Sequence, residues 1–280
     1  MDYDPTLRAL FFPGKSAPVP DFSTQWTRDQ ICAELCRRVY VRFEKNERNR
    51  LKAELQGAGF GKPECFHSKW SGAQAFGTVG PDGTVYVVFR GTQITSLADP
   101  LADVLAFPVR WKGAGRVHWG FWTAYRSIGK AIEAWLPDPS GRRLVITGHS
   151  LGAAMATLMA GLHDDSALVT FGSPRVGNQA FVESFAADRA VCRYVDTVDA
   201  VPGAVPPIVY RHLGEMIYID HLGARHSPPP DRRALKEDRR KARRIYRRKC
   251  LRLGNAPTRS LADHAPVNYI SALLGRRTGP

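Results

Sequence analysis

Apolar positions recur along this chain with two different periods. Ile31, Leu35, Val39 and Phe43 repeat at helical spacing behind Thr27 and Gln30, a capping-box pair, so a helix is expected to start there. A second helix is expected from Asn46 to Gln56. Residues 73–79 and 84–90 are strand-like, and Gly80-Pro81-Asp82-Gly83 between them is a strong hairpin turn. Further on, Arg126 to Trp135 reads as helix, Leu144 to Thr147 as strand and the Ala-rich run from Ala153 to Leu158 as helix. Leu168–Phe171 and Val191–Val195 are the next strands, with a helix from Gln179 to Ala187 between them. A strand around Met216–Ile219 and a short helix from Val267 to Leu274 complete the pattern. Alternating strands and helices predict an α/β fold, a mostly parallel sheet flanked by helices. The Pro-rich residues 1–25 are expected to be an extended arm, leaving 26–280 as one domain.

The junction at Gly148-His149-Ser150-Leu151-Gly152 carries the candidate chemistry. A β-branched strand enters the turn and a helix-forming run leaves it, the context in which a serine becomes a nucleophile. The turn is so tight that side chains two residues either side of Ser150 would collide, and glycine at 148 and 152 removes both. A glycine-rich turn with an idle serine is the plain alternative. On such a sheet an acid and then a histidine follow the serine along the chain, on loops after later strands. Asp199 fits the acid, beyond Val191–Val195 and stiffened by Val201-Pro202, with Asp196 as competitor. Five histidines follow Ser150: His163, His212, His221, His226 and His264. His264 lies beyond the last strand candidate and fits the base. His163 ends the elbow's own helix, and His212 and His221 flank a strand as structural residues.

Taken together, these residues resemble the class 3 (fungal-type triacylglycerol) lipase family of the α/β-hydrolases. The matching stretches are Val87 to Thr92, His118 to Phe121, Gly148 to Gly152, Thr170 to Asn178, Asp199 to Pro202 and Asp263-His264, in family order. The resemblance implies Ser150 as nucleophile, Asp199 as orienting acid and His264 as base. It implies Thr92 as an oxyanion residue, with the Leu151 backbone N–H as second donor. The implied function is hydrolysis of carboxylic esters of lipids, of the triacylglycerol lipase or phospholipase A kind, with no metal or organic cofactor. A lipid acyltransferase on the same triad and a non-enzymatic basic binding protein are the alternatives. The family also implies a lid, here Ile94 to Phe107, with Leu97, Leu101, Val104 and Leu105 on one helical face; an ordinary amphipathic helix packed on the core is the alternative.

Charge adds one feature. The chain carries +14, and residues 225–259 hold 14 Lys and Arg against Asp231, Glu237 and Asp238, leaving only +3 elsewhere. This stretch reads as a basic insertion: Pro228-Pro229-Pro230, then a helix with a narrow apolar stripe of Leu235, Ala242, Tyr246, Cys250 and Leu253. Such a pattern suits an anionic membrane surface. A solvated helix packed by its stripe is the alternative, and nucleic acid is the least favoured partner. The five cysteines lack metal-site spacing, and Cys32 and Cys36, one helical turn apart, read as helix packing. Met1-Asp2-Tyr3-Asp4 is acidic where a signal peptide needs basic residues, so the expected location is cytoplasmic or peripheral to a membrane, with non-classical export left open. Oligomeric state is not legible.

Overall fold

The computed structural model describes residues 2–15, 26–41, 43, 47–91, 107–137 and 141–277. Its strands are β1 (Glu64–His67), β2 (Gln74–Val79), β3 (Val85–Phe89), β4 (Pro108–Arg110), β5 (Arg116–His118), β6 (Leu144–His149), β7 (Ala167–Phe171), β8 (Val191–Asp196), β9 (Met216–Ile219) and β10 (Arg225–His226). Its helices are α1 (Leu7–Phe11), α2 (Arg28–Arg38), α3 (Glu47–Gly57), α4 (Trp119–Trp135), α5 (Leu151–Ala160), α6 (Gln179–Glu183), α7 (Val201–Ala204), α8 (Arg232–Lys249), α9 (Arg259–Asp263) and α10 (Pro266–Leu273).

Eight strands form one sheet in the order β1-β2-β3-β6-β7-β8-β9-β10, and β4 pairs with β5 apart from it. From β3 to β9 all pairings are parallel, whereas β1, β2 and β10 add on antiparallel at the edges. The expected architecture is therefore present. Because side chains alternate across a strand, β3 feeds both layers: Tyr86 and Val88 pack with α2 and α3 on one face, Val87 and Phe89 with α4 and α5 on the other. Every residue of β3 is buried, the signature of a parallel strand covered on both faces. The α2 capping box forms as expected, Thr27 and Gln30 each accepting the other's backbone N–H. Cys32 and Cys36 are buried on this helix, and all five cysteines are free.

Two expectations are corrected here. Part of the N-terminal segment expected to be extended folds into α1, capped by the Thr6 side chain, with Tyr3, Ala9 and Leu10 buried. The Pro-rich composition hid a short helix whose stability comes from packing on α9 and α10 rather than from propensity. The apolar stripe of the basic helix is also not free to enter a lipid surface. Ala242, Tyr246 and Cys250 are buried against Tyr3, Ala256 and Ala262, and the Tyr246 hydroxyl donates to the Ala256 carbonyl at 2.7 Å. Leu253, placed in the same stripe, lies beyond the helix end and is exposed. Of the expected lid, residues 94–106 lie outside the described residues, as does Thr92, and Phe107 is exposed.

Candidate active site

The C-terminal ends of the parallel strands converge on Ser150, where open α/β sheets hold their ligands. Ser150 links β6 to α5 with φ 59° and ψ −128°, and it is the one non-glycine residue with positive φ among the described residues. Such a conformation costs about 1–3 kcal/mol and persists only where the surroundings impose it. Here the Ser150 N–H donates to the Phe171 carbonyl at the end of β7, at 3.0 Å. A Cβ at Gly148 would strike the backbone of Gly152, and one at Gly152 would sit 2.7 Å from the backbone carbons of Phe89 and Arg90. Gly91 approaches from the end of β3, where a Cβ would lie 2.9 Å from Ser150 Cβ. The end of β3 therefore runs against the turn that carries Ser150. Leu151 opens α5, so its backbone N–H has no acceptor within the helix.

Asp199 and His264 meet although 65 residues separate them. His264 Nδ1 lies 2.9 and 3.0 Å from the two carboxylate oxygens of Asp199. Both residues are buried. Two further donors reach the carboxylate: the Tyr269 hydroxyl at 2.7 Å and the Val201 N–H at 2.9 Å. Tyr269 in turn accepts the Asp196 N–H at 3.1 Å, and burial next to Asp199 pushes its phenol well above the ordinary range. Gly172, after β7, lies beneath the pair, where a Cβ would come within 2.6 Å of Asp199 Oδ2. The Ser150 hydroxyl makes no hydrogen bond with His264 among the described residues. Such nucleophile–base contacts are often long before substrate binds.

The competitor Asp196 is buried and bidentate to Arg277, at 2.7 and 2.6 Å. Of the other late histidines, His163 and His226 face Glu133 and Asp220, at 3.0 and 2.9 Å, and His221 faces Asp238. Sequence reasoning missed three residues that organise the site. Tyr269 is one. His149 and Tyr40 are the others: the Tyr40 hydroxyl lies 2.7 Å from His149 Nδ1, and the His264 carbonyl lies 2.8 Å from Nε2. Burial and the nearby His264 hold the His149 imidazole well below the usual range. It is then neutral, accepting from Tyr40 and donating to the backbone of His264. His149 stood inside the elbow motif, but nothing near Tyr40 in the sequence marked it.

Residues 86–209 match the family described as Lipase (class 3). A lipase of Rhizomucor miehei is 32% identical over 154 residues, 49% of this chain and 42% of that protein. A secreted mono- and diacylglycerol lipase of Fusarium solani is 38% identical over 116 residues, 37% of this chain and 34% of that protein. Among solved structures, lipase II from Rhizopus niveus superposes with a TM-score of 0.54 at 27% identity, covering 68% of this chain and 77% of that one. The chain spans less than half the length of the curated relatives it matches. The expected cytoplasmic or peripheral-membrane location is overturned by these findings, because matching relatives from Fusarium solani and Penicillium cyclopium are named as secreted. Among the described residues no helix is long and apolar enough to cross a membrane. Over residues 86–209 the chain is similar to the class 3 (fungal-type) lipases, and its sheet with flanking helices has the α/β-hydrolase architecture.

Proposed function

We propose that this protein hydrolyses carboxylic esters of lipids, of the triacylglycerol lipase or phospholipase A kind, through an acyl-enzyme, with residues 26–280 as its catalytic domain. The observation that carries this reading is the buried Asp199–His264 pair beside a serine held at positive φ. Ser150 Oγ attacks the ester carbonyl carbon while His264 Nε2 takes its proton. Asp199, on Nδ1, holds the ring in that tautomer and offsets the imidazolium charge. The Leu151 N–H, joined by Thr92, donates to the oxyanion of the tetrahedral intermediate. His264 then protonates the departing alcohol, and water repeats both steps to release the acid. The exposed arginines of α8 add a charge attraction toward anionic ester aggregates, which salt would screen.

The test is Ser150→Ala, which should lower ester turnover by about a millionfold, as loss of the nucleophile does in a comparable triad. It should also abolish labelling by a fluorophosphonate. More than a few per cent residual turnover in the pure variant would remove Ser150 from the mechanism. Parallel rates on triacylglycerol, phospholipid and a short p-nitrophenyl ester assign the substrate class.

A further inference from the structure

Behind the loop that carries Asp199 lies a cavity of about 430 Å³ with no described use. Arg193 from β8, Arg175 from the segment after β7, Arg239 and Arg243 from α8, and His212 line it. Three of the arginines are anchored by backbone carbonyls. Arg175 Nη1 donates to Val205 O at 2.5 Å, Arg193 Nε to Gly214 O at 3.3 Å and Arg239 Nε to Thr197 O at 2.9 Å. None of the four guanidiniums takes part in an ion pair among the described residues. Asp199 is the one carboxylate in the lining, and His264, Tyr269 and Val201 already occupy its oxygens. His212 Nδ1 is buried without a partner among the described residues.

Arg193 is buried and Arg175 and Arg239 are half-buried, and cations partly withdrawn from water with no acid paired to them are unfavourable unless a counter-charge joins them. The crowding is visible in their titration. Burial and Arg175 push Arg193 down to about 10, and burial with both arginines pushes His212 down to about 3. The backbone anchors leave the Nη groups of Arg193 and Arg239 without a protein acceptor among the described residues. Planar, pre-oriented N–H donors of this kind match the tetrahedral oxygens of a phosphate. We propose that this cavity binds a phosphate-class oxyanion, either free or as the phosphoester of a lipid headgroup, between β8 and α8. The site does not depend on the ester-hydrolase reading, since none of its donors takes part in that chemistry.

The experiment uses the whole protein and inorganic phosphate, titrated by calorimetry at pH 7 against sodium chloride of equal ionic strength. One phosphate per chain should bind saturably. Arg239→Gln with Arg243→Gln should weaken binding by about tenfold or more, the usual scale for losing charge-assisted bonds. Arg243 is exposed and Arg239 half-buried on a surface helix, so both changes leave the core intact. The control pair Arg240→Gln with Arg244→Gln removes the same charge from exposed positions on the same helix and should leave the affinity within about twofold. Competition by soluble dihexanoyl phosphatidic acid assigns the headgroup source; phosphate binding without that competition assigns the free anion. Absence of saturable phosphate binding, or equal loss from the two pairs, overturns the proposal.

Discussion

Asp196 ends β8 and Asp199 follows three residues on, both buried, and their partners differ. Asp196 faces Arg277, a cation at every accessible pH, in a bidentate pair. Asp199 faces the imidazole of His264, and two neutral donors hold the carboxylate there. A carboxylate with a permanent partner can only hold structure. One paired with an imidazole can stabilise a charge that comes and goes. Burial alone therefore does not mark a functional acid; the partner does.

The sharpest way to break this contrast is to neutralise each acid in turn. Asp199→Asn should lower turnover by about 10⁴-fold, because the amide favours the wrong imidazole tautomer, with little change in melting temperature. Asp196→Asn should do the reverse, costing up to about 3–5 kcal/mol of stability by taking the bidentate partner from buried Arg277 and leaving it Asp263 at 3.6 Å, while the folded fraction keeps its turnover. Steady-state rates and thermal melts on the same preparations decide it, and a reversed outcome would move the acid to Asp196. Removing both charges with Asp196→Leu and Arg277→Met should destabilise much less than either single change, since a buried pair is often no better than apolar contact.

Tyr269→Phe comes next in size. It deletes the hydroxyl on Asp199 Oδ2 and should cost about 10–100-fold in turnover, the equivalent of one hydrogen bond to a charged group. A loss confined to stability, with turnover intact, would make Tyr269 a packing residue only.

The smallest effect separates the histidines. His149 and His212 are both held neutral in the folded chain, His212 down to about 3, whereas an unfolded histidine titrates near 6.5. Below that value the unfolded state binds more protons, so stability falls with falling pH by about 1.4 kcal/mol per unit for each such ring. His149→Gln should remove one ring's share of that slope in denaturant melts between about pH 6.5 and 4.5. An unchanged slope would show that His149 is protonated in the folded protein.

What was legible in the sequence was what neighbours in sequence determine. The capping box at Thr27, the β2–β3 hairpin and the elbow at Ser150 all depend on residues within a few positions of one another. β1, β4, β5 and β10 escaped notice because strands of two to four residues have too little periodicity to read. Asp199 and His264 could be chosen by chain order, yet Tyr40 and Tyr269 reach the site from 109 and 70 residues away and carry no local signal. The helical stripe at Ala242, Tyr246 and Cys250 was visible in the same way. Its cover, Tyr3, was not, because only the folded chain brings the two together.

Tyr3 has one more contact, and it bears on how the protein is made. Its hydroxyl donates to Asp263 at 2.8 Å, next to His264, and Asp263 also receives Arg259 at 3.0 Å and lies 3.6 Å from Arg277. Tyr3 leaves the ribosome long before Arg277 does. The early central strands can pair while synthesis continues, but this knot of charges cannot close until Arg277 has emerged. The loop holding His264 is thus completed late, and a nascent chain carries the turn at Ser150 well before it carries the Asp199–His264 pair.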